Sequence, residues 1–278
     1  EIVHVIGADI TRFHTIYWPM FLRSLDLREP NRVFVHGLLM MKDGKMSKSK
    51  GNAISAYPLI ERYGVDAVRY YLVSEVPFGE NGTFTPEQFV MRINQDLANN
   101  LGNLLNRTVS MIAKYFNGVI PSLKKRVNPT DKELEDLCES TISEYEKLND
   151  DLAVTEAYEK VMGLVGRANK YIEETAPWAL AKDPEKVTNL ESVMAHLAYV
   201  LFIAGLLLKP ILVHKSDAIF VSLGLAKEEC VYTNIHDENI VAGKTVCKGE
   251  QLFPRLDQEK EIAAITEMMN GPKEKVAA

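Results

Sequence analysis

Apolar positions recur at helical spacing along most of the chain, and only residues 1 to 41 carry strand-like runs. Two short β-branched runs, Ile2 to Ile6 and Arg32 to Met41, flank a helix-like segment from Ile10 to Leu25. That order predicts a parallel βαβ unit. A loop rich in Lys, Gly and Ser, Lys42 to Asn52, follows, and then a helical pattern through Leu59, Ile60, Val65, Val68 and Tyr71. Thr85-Pro86-Glu87-Gln88 is a helix start, with Thr as N-cap, Pro at the first helical position and Gln three residues after the cap. Phe89, Ile93, Leu97, Leu101, Leu104, Leu105, Ile112 and Phe116 then hold one apolar face until Asn117-Gly118. Thr130-Asp131-Lys132-Glu133 reads as a second capping box, opening a helix through Leu134, Cys138, Ile142, Tyr145 and Leu148. A third helical pattern runs from Leu152 to Glu174 and ends near Pro177, and a fourth covers Val187 to Leu208 with a continuation after Pro210. Amphipathic helices joined by short loops predict a bundle. Residues 220–257 are weakly patterned, and the charged tail, with Gly271-Pro272-Lys273, reads as a linker.

Length and charge narrow the function classes. With 278 residues the chain has room for about two domains. The patterning divides it into residues 1–84, 85–224 and a C-terminal segment and linker, 225–278. A net charge of −6, from 32 basic and 38 acidic residues, argues against attachment to nucleic acid by bulk charge, so any such contact is local. The longest charge-free stretch, Ser192 to Leu208, contains His196 and falls short of the ~20 apolar residues of a bilayer span. It predicts a buried helix and no membrane partner. Cys138, Cys230 and Cys247 form no Cys-x-x-Cys, which speaks against a disulfide framework or a structural zinc site and for reduced thiols in the cytoplasm. The chain opens at Glu1 directly on a strand, so we read it as a piece of a longer protein.

The candidate chemistry starts at Lys45-Met46-Ser47-Lys48-Ser49, set between Gly44 and Asn52. Lysines can follow phosphoryl groups as negative charge develops, hydroxyls add donors, and Gly44 and Gly51 let a loop close on a triphosphate. On composition alone a solvated lysine-rich surface loop is the commoner reading of such a stretch. The order of residues is more specific, because GKMSKSKGN resembles the signature loop of class I aminoacyl-tRNA synthetases. His4-Val5-Ile6-Gly7, Asp9-Ile10, Arg12-Phe13-His14, Tyr17-Trp18-Pro19 and Val35-His36-Gly37 together resemble the methionyl-tRNA synthetase family. The resemblance continues to Leu252-Phe253-Pro254-Arg255 and covers the family's second half. His4-Val5-Ile6-Gly7 lacks a second histidine and is not the HIGH signature of that class.

The resemblance implies an α/β plus all-α chain: a partial Rossmann-like class I catalytic domain followed by an α-helical anticodon-binding bundle. It implies catalytic roles for Lys45, Ser47, Lys48 and Ser49, and an ATP site at Gly7, Asp9, His36 and Lys48 with Mg²⁺ on the triphosphate. It implies a methionine pocket at Ile10, His14, Tyr17 and Trp18, where a long polarizable thioether suits aromatic faces and one aliphatic wall. Ala8 stands where the family usually has lysine. No zinc site is expected in this segment.

A second candidate site lies in the bundle. From Leu97 to Thr130 there is no acid but five basic residues, Arg107, Lys114, Lys124, Lys125 and Arg126, whereas Asp131 to Lys160 holds eleven acids and three bases. Asn103 and Arg107, four apart, continue a polar stripe of Asp96, Asn100, Ser110 and Lys114. A solvated face would look the same. Asn and Arg also read base edges, and Trp178, in an inter-helix turn, can stack on an unstacked base. The resemblance implies that Asn103, Arg107 and Trp178 recognise the CAU anticodon loop of tRNA(Met). The expected activity is two-step methionine activation and transfer to tRNA by a monomer. Without the HIGH half, the isolated fragment is expected to be inactive, and the competing reading is a non-catalytic tRNA-binding module.

Overall fold

A computed structural model describes residues 1–42, 44–45, 55–76 and 79–269. Strand β1 (Val3–Gly7) pairs in parallel with β2 (Arg32–His36), in a register that sets Gly7 opposite His36. The connection between them is a 3₁₀ turn (Ala8–Ile10), a π-helical turn (Phe13–Tyr17) and α1 (Trp18–Ser24), so the βαβ order is present. Only Ile6 and Leu22 of this unit are deeply buried, while Phe13, Ile16, Met20, Phe21 and Leu25 each leave more than half of their surface open. That is an apolar face without a partner among the described residues.

The expected strand from Arg32 to Met41 is divided. At Gly37 a Cβ would lie 1.7 Å from the carbonyl oxygen of Glu80, and Leu38 N donates to Asn81 Oδ1 at 2.7 Å. This close backbone crossing carries the chain into a second sheet, where β3 (Leu39–Met41) pairs antiparallel with β4 (Gly44–Lys45) and parallel with β5 (Gly82–Thr83). Lys45 therefore belongs to a strand, not to the loop expected from Lys42 onward.

Helices α2 (Ala56–Tyr63) and α3 (Val65–Glu75) join this part to the bundle. Buried Asp66 of α3 accepts His214 N (3.0 Å) and Lys215 N (2.7 Å), capping α10 (Val213–Ser222). Arg69 donates to Pro210 O (2.7 Å) and Ile211 O (3.2 Å), satisfying carbonyls beyond the end of α9 (Val187–Leu208). Thr155 Oγ1, on α7 (Val154–Thr175), donates to Val73 O at 2.8 Å.

The first bundle helix starts as its sequence predicts. Thr85 Oγ1 accepts Gln88 N at 3.1 Å and its hydroxyl donates to Gln88 Oε1 at 2.9 Å. It runs through α4 (Pro86–Arg92), a π-helical stretch (Ile93–Gly102) and α5 (Asn103–Tyr115), ending at Asn117 (φ 51°) and Gly118 (φ 84°). The second predicted capping box is not made. Thr130 is already helical in φ and ψ and its hydroxyl is buried without a partner. Asp131, the first residue of α6 (Asp131–Asp150), instead accepts Val127 N (3.0 Å) and Asn128 N (2.8 Å). The physical reason is reach: the longer, charged side chain at the next position collects both loop amides.

Helix α9 is the core of the bundle. Residues 184–208 are long and apolar enough to cross a membrane by length and composition, yet 94% of the apolar window is buried inside the protein. The tail corrects the linker reading over part of its length: Gln258–Met269 is a helix, α11, that packs on α4 with Glu261 and Ile265 buried. Its pattern is weak because a carboxylate occupies one of the inward positions.

Candidate functional site

The carboxyl ends of β1 and β2 form the first site, the place where open α/β sheets hold ligands. Gly7, Asp9 and His36 meet there: a Cβ on Gly7 would stand 2.9 Å from Asp9 Oδ1 and 3.6 Å from His36 Cε1. The missing side chain leaves a cradle with a carboxylate and an imidazole on its walls. His36 Nδ1 lies 2.9 Å from Gly37 O, which orients the ring. On the connecting turn, His14 Nδ1 lies 3.1 Å from Ile10 O, bringing two of the proposed methionine-pocket residues together. Tyr17 and Trp18 follow one turn on, both largely open, with Tyr17 packed on Phe13 at 5.9 Å between ring centroids. The π-helical turn holding His14 and Tyr17 widens the backbone where these side chains emerge, a habit of functional segments. His4 sits edge-on to His14 at 6.2 Å, and its Nδ1 is buried without a hydrogen-bond partner. The sequence offers no signal for this contact beyond the strand position of His4. Ser47, Lys48 and Ser49 lie outside the described residues, and Lys45 is described only as part of β4.

The second site is built along α7. Asn103 Nδ2 donates to Asn169 Oδ1 at 3.3 Å, and Asn169 Nδ2 donates to Asn100 O (3.1 Å) and Asn100 Oδ1 (2.8 Å). One turn further, Arg107 Nη2 pairs with Glu173 Oε1 at 2.6 Å. Ala176 then adopts a left-handed conformation (φ 44°, ψ 64°) that ends α7, and Pro177 starts the short helix α8 (Pro177–Leu180). The turn leaves Trp178 43% exposed. Asn169 and Glu173 were not picked out by the sequence, although their spacing of four on one helix was the available signal.

The polar stripe is not simply solvated. Asp96 accepts the Tyr70 hydroxyl (3.0 Å) and Arg92 Nη1 (3.3 Å), and Arg92 also bonds Glu75. Burial first, and then Asp96, pushes the Tyr70 phenol far above its usual range, so it stays a donor. The basic run is likewise neutralised in space: Lys124 pairs with Glu191, Lys125 with Glu238, and Arg126 with Glu135. Its charge asymmetry along the chain therefore makes no basic patch of these residues, and exposed pairs of this kind contribute only ~0 to 1 kcal/mol each.

Asp131, Glu135 and His196 bring one ligand atom each within 4.8 Å of one another, the spacing a cation would need. Their polar atoms are already engaged. Asp131 accepts Tyr171 OH (2.6 Å) and Ser192 Oγ (2.9 Å) besides the loop amides, and His196 faces Ser192 O (2.7 Å) and Glu135 Oε1 (3.1 Å). We read the cluster as the polar hub of the bundle.

Residues 1–109 match the family model for class I tRNA synthetases (M), and residues 120–274 match that for the anticodon binding domain of methionyl tRNA ligase. A partial parallel sheet with its connecting helices, followed by a helical bundle of this kind, defines a class I aminoacyl-tRNA synthetase segment carrying its anticodon-binding domain. A methionine–tRNA ligase of Bacillus subtilis (strain 168) is 53% identical over 270 residues, 97% of this chain and 41% of that protein. One from Listeria monocytogenes (EGD-e) is 52% identical over 282 residues, 99% of this chain and 42% of that protein. Mycobacterium tuberculosis methionyl-tRNA synthetase bound by methionyl-adenylate superposes with a TM-score of 0.86 at 35% identity, covering 91% of this chain and 50% of that one. The chain belongs to the methionyl-tRNA synthetase family, and it spans 41% and 42% of the length of these two curated relatives.

Proposed function

We propose that this chain supplies the signature loop and the anticodon-binding bundle of a cytoplasmic methionine–tRNA ligase. In that reaction the methionine carboxylate attacks the α-phosphate of ATP, giving methionyl-adenylate and pyrophosphate, and the acyl group then moves to the terminal ribose of tRNA(Met). No side chain forms a covalent bond to substrate, so acceleration comes from positioning and from charge stabilisation on the triphosphate, where Mg²⁺ would supply further neutralisation. Asp9 would accept ribose hydroxyls over Gly7, and Ile10, His14, Tyr17 and Trp18 would hold the thioether. The proposed division is residues 1–84 for nucleotide and methionine and residues 85–224 for the anticodon. Residues 225–278 are the C-terminal segment and linker, of which Gln258–Met269 folds back on the bundle.

The observation that carries this reading is that Asn103 and Arg107 bond Asn169 and Glu173 of α7, and that the turn ending this helix carries an exposed Trp178. Amide, guanidinium and indole thus succeed one another along one helix and its end, side-chain types that read and stack unpaired bases. Trp178→Ala is expected to weaken tRNA charging by about 1 to 3 kcal/mol, or roughly 5- to 150-fold in kcat/KM, with methionine-dependent pyrophosphate exchange unchanged. Trp178 is half exposed, so the melting temperature should hold. Equal loss in both steps together with a lower melting temperature would make Trp178 a structural anchor instead.

Asn103→Ala and Arg107→Ala are each expected to reduce the preference for CAU over an altered anticodon by about 1 to 3 kcal/mol, the worth of reading one base edge. Charging rates with wild-type and anticodon-substituted transcripts test this, and an unchanged preference in both variants excludes them from base reading. The open apolar face of α1 supports one further expectation: the chain alone binds tRNA without activating methionine, because such a face belongs inside a complete catalytic domain.

A further inference from the structure

Asn169 stands inside α7, where an asparagine costs helix stability unless its amide is put to use. Here both ends of the amide are engaged. Its Nδ2 meets three acceptors, Asn100 Oδ1 (2.8 Å), Asn100 O (3.1 Å) and Val165 O (3.3 Å), and its Oδ1 accepts Asn103 Nδ2 at 3.3 Å. Asn100 is fixed in turn, because its own Nδ2 donates back to Met162 O of α7 at 3.4 Å. Asn103, Asn169 and Asn100 therefore form one relay of amides between α7 and the first bundle helix.

The relay has a direction, and backbone carbonyls set it. A carbonyl oxygen can only accept, so the end of the Asn169 amide that faces Asn100 O and Val165 O must be its nitrogen. The opposite end, facing Asn103, is then oxygen. Met162 O turns the Asn100 nitrogen towards itself in the same way and leaves the Asn100 oxygen for Asn169. Donation runs from Asn103 to Asn169 to Asn100 to Met162, and the Asn103 nitrogen is turned inward. Asn103 Oδ1 accepts from no described group and is not sealed from solvent. Without Asn169 the Asn103 amide would be free to present either end, and for a base edge that is the difference between an acceptor and a donor.

We propose that Asn169 is a positioning residue that sets the specificity of the base-reading edge: by holding the Asn103 nitrogen it turns the Asn103 oxygen outward, so that this position selects a base edge offering an N–H donor, such as the exocyclic amino group of cytosine or adenine, over one offering a keto oxygen. The inference rests on the reading of Asn103 as a residue that contacts the anticodon. It requires no contact between Asn169 and RNA. A residue that only filled space between the helices would leave base preference alone, so preference and fold should separate.

The test is charging of tRNA(Met) transcripts with a CAU or an altered anticodon by the full-length synthetase, comparing wild type, Asn103→Ala, Asn169→Ala, Asn169→Asp and the double variant Asn103→Ala with Asn169→Ala. Asn169→Ala is expected to reduce the preference for CAU by about 5- to 150-fold, the worth of one base-edge contact. Methionine-dependent pyrophosphate exchange, which needs no tRNA, should keep its wild-type rate. Because Asn169 acts through Asn103, the double variant should discriminate no worse than Asn103→Ala by itself. Asn169→Asp keeps the size of the side chain but sets an acceptor against the Asn100 and Val165 carbonyls; it should lose preference too, and serves if the alanine variant does not fold. Losses that add in full in the double variant, or wild-type preference in both Asn169 variants beside an Asn103→Ala that has lost it, would overturn the proposal. Charging and exchange falling in step with the melting temperature would reduce Asn169 to helix packing. An Asn103→Ala enzyme with unchanged preference would instead overturn the reading of Asn103 on which the inference stands.

Discussion

Lys48→Ala is expected to slow methionine-dependent pyrophosphate exchange by roughly 10²- to 10³-fold, the scale of losing one preorganised donor to charge that develops in the transition state. Lys48 is the second lysine of the signature and lies between two hydroxyls, Ser47 and Ser49. The described flanks are β4, where Lys45 pairs with Met40, and α2, which starts at Ala56 under the Ser55 cap. A lysine meeting the β- and γ-phosphates as pyrophosphate departs strengthens its contact along the reaction coordinate, so the effect should appear in kcat. Methionine binding, followed by a fluorescence titration, should not move. A variant that exchanges pyrophosphate at the normal rate would remove Lys48 from the mechanism.

Asp131→Ala is expected to cost about 3 to 5 kcal/mol of stability, because several buried donors lose their acceptor at about 1 to 3 kcal/mol each. The side chain is fully buried and accepts five hydrogen bonds, from Val127 N, Asn128 N, Asn128 Nδ2, Ser192 Oγ and Tyr171 OH. Its removal would leave the Val127 and Asn128 amides and the Tyr171 hydroxyl of α7 without that acceptor, while Ser192 of α9 keeps Lys124 O at 2.8 Å. Tyr171 shows how much the hub matters: burial, and after it the Asp131 carboxylate, raises its phenol far above the ordinary range, so it remains a donor at any working pH. At ~2 to 4 °C per kcal/mol for a domain of this size, the melting temperature should fall by roughly 10 °C. Asp131→Asn, which keeps one acceptor oxygen, should lose less. Circular dichroism melts decide it, and a melt for Asp131→Ala within ~2 °C of wild type would deny the hub any structural weight.

Tyr171 also links stability to the edge proposed to read the anticodon, since it lies on α7 between Asn169 and Glu173. Substitution of Asp131 should therefore weaken tRNA charging in the surviving folded fraction more than methionine activation. That coupling is absent from the sequence pattern, where Asp131 reads only as the second residue of a capping box.

What was legible in advance were features encoded within a few residues. The βαβ order, the Thr85 cap, the Asn117-Gly118 stop, the extent of α9 and the four-residue step from Asn103 to Arg107 all depend on side-chain period and local hydrogen bonding, which neighbours in the chain specify. The tertiary structure decided whatever needed a distant partner. Gly37 divides a strand because the Glu80 backbone crosses there, Asp131 takes over from Thr130 because it reaches loop amides, and the supposed linker becomes α11 because Arg62 and Tyr63 wait for Glu261. The basic run shows the same limit most plainly. Lys124, Lys125 and Arg126 are adjacent in sequence, but Glu191, Glu238 and Glu135 reach them from three other segments, and a charge is felt through space, over ångströms, rather than along the chain.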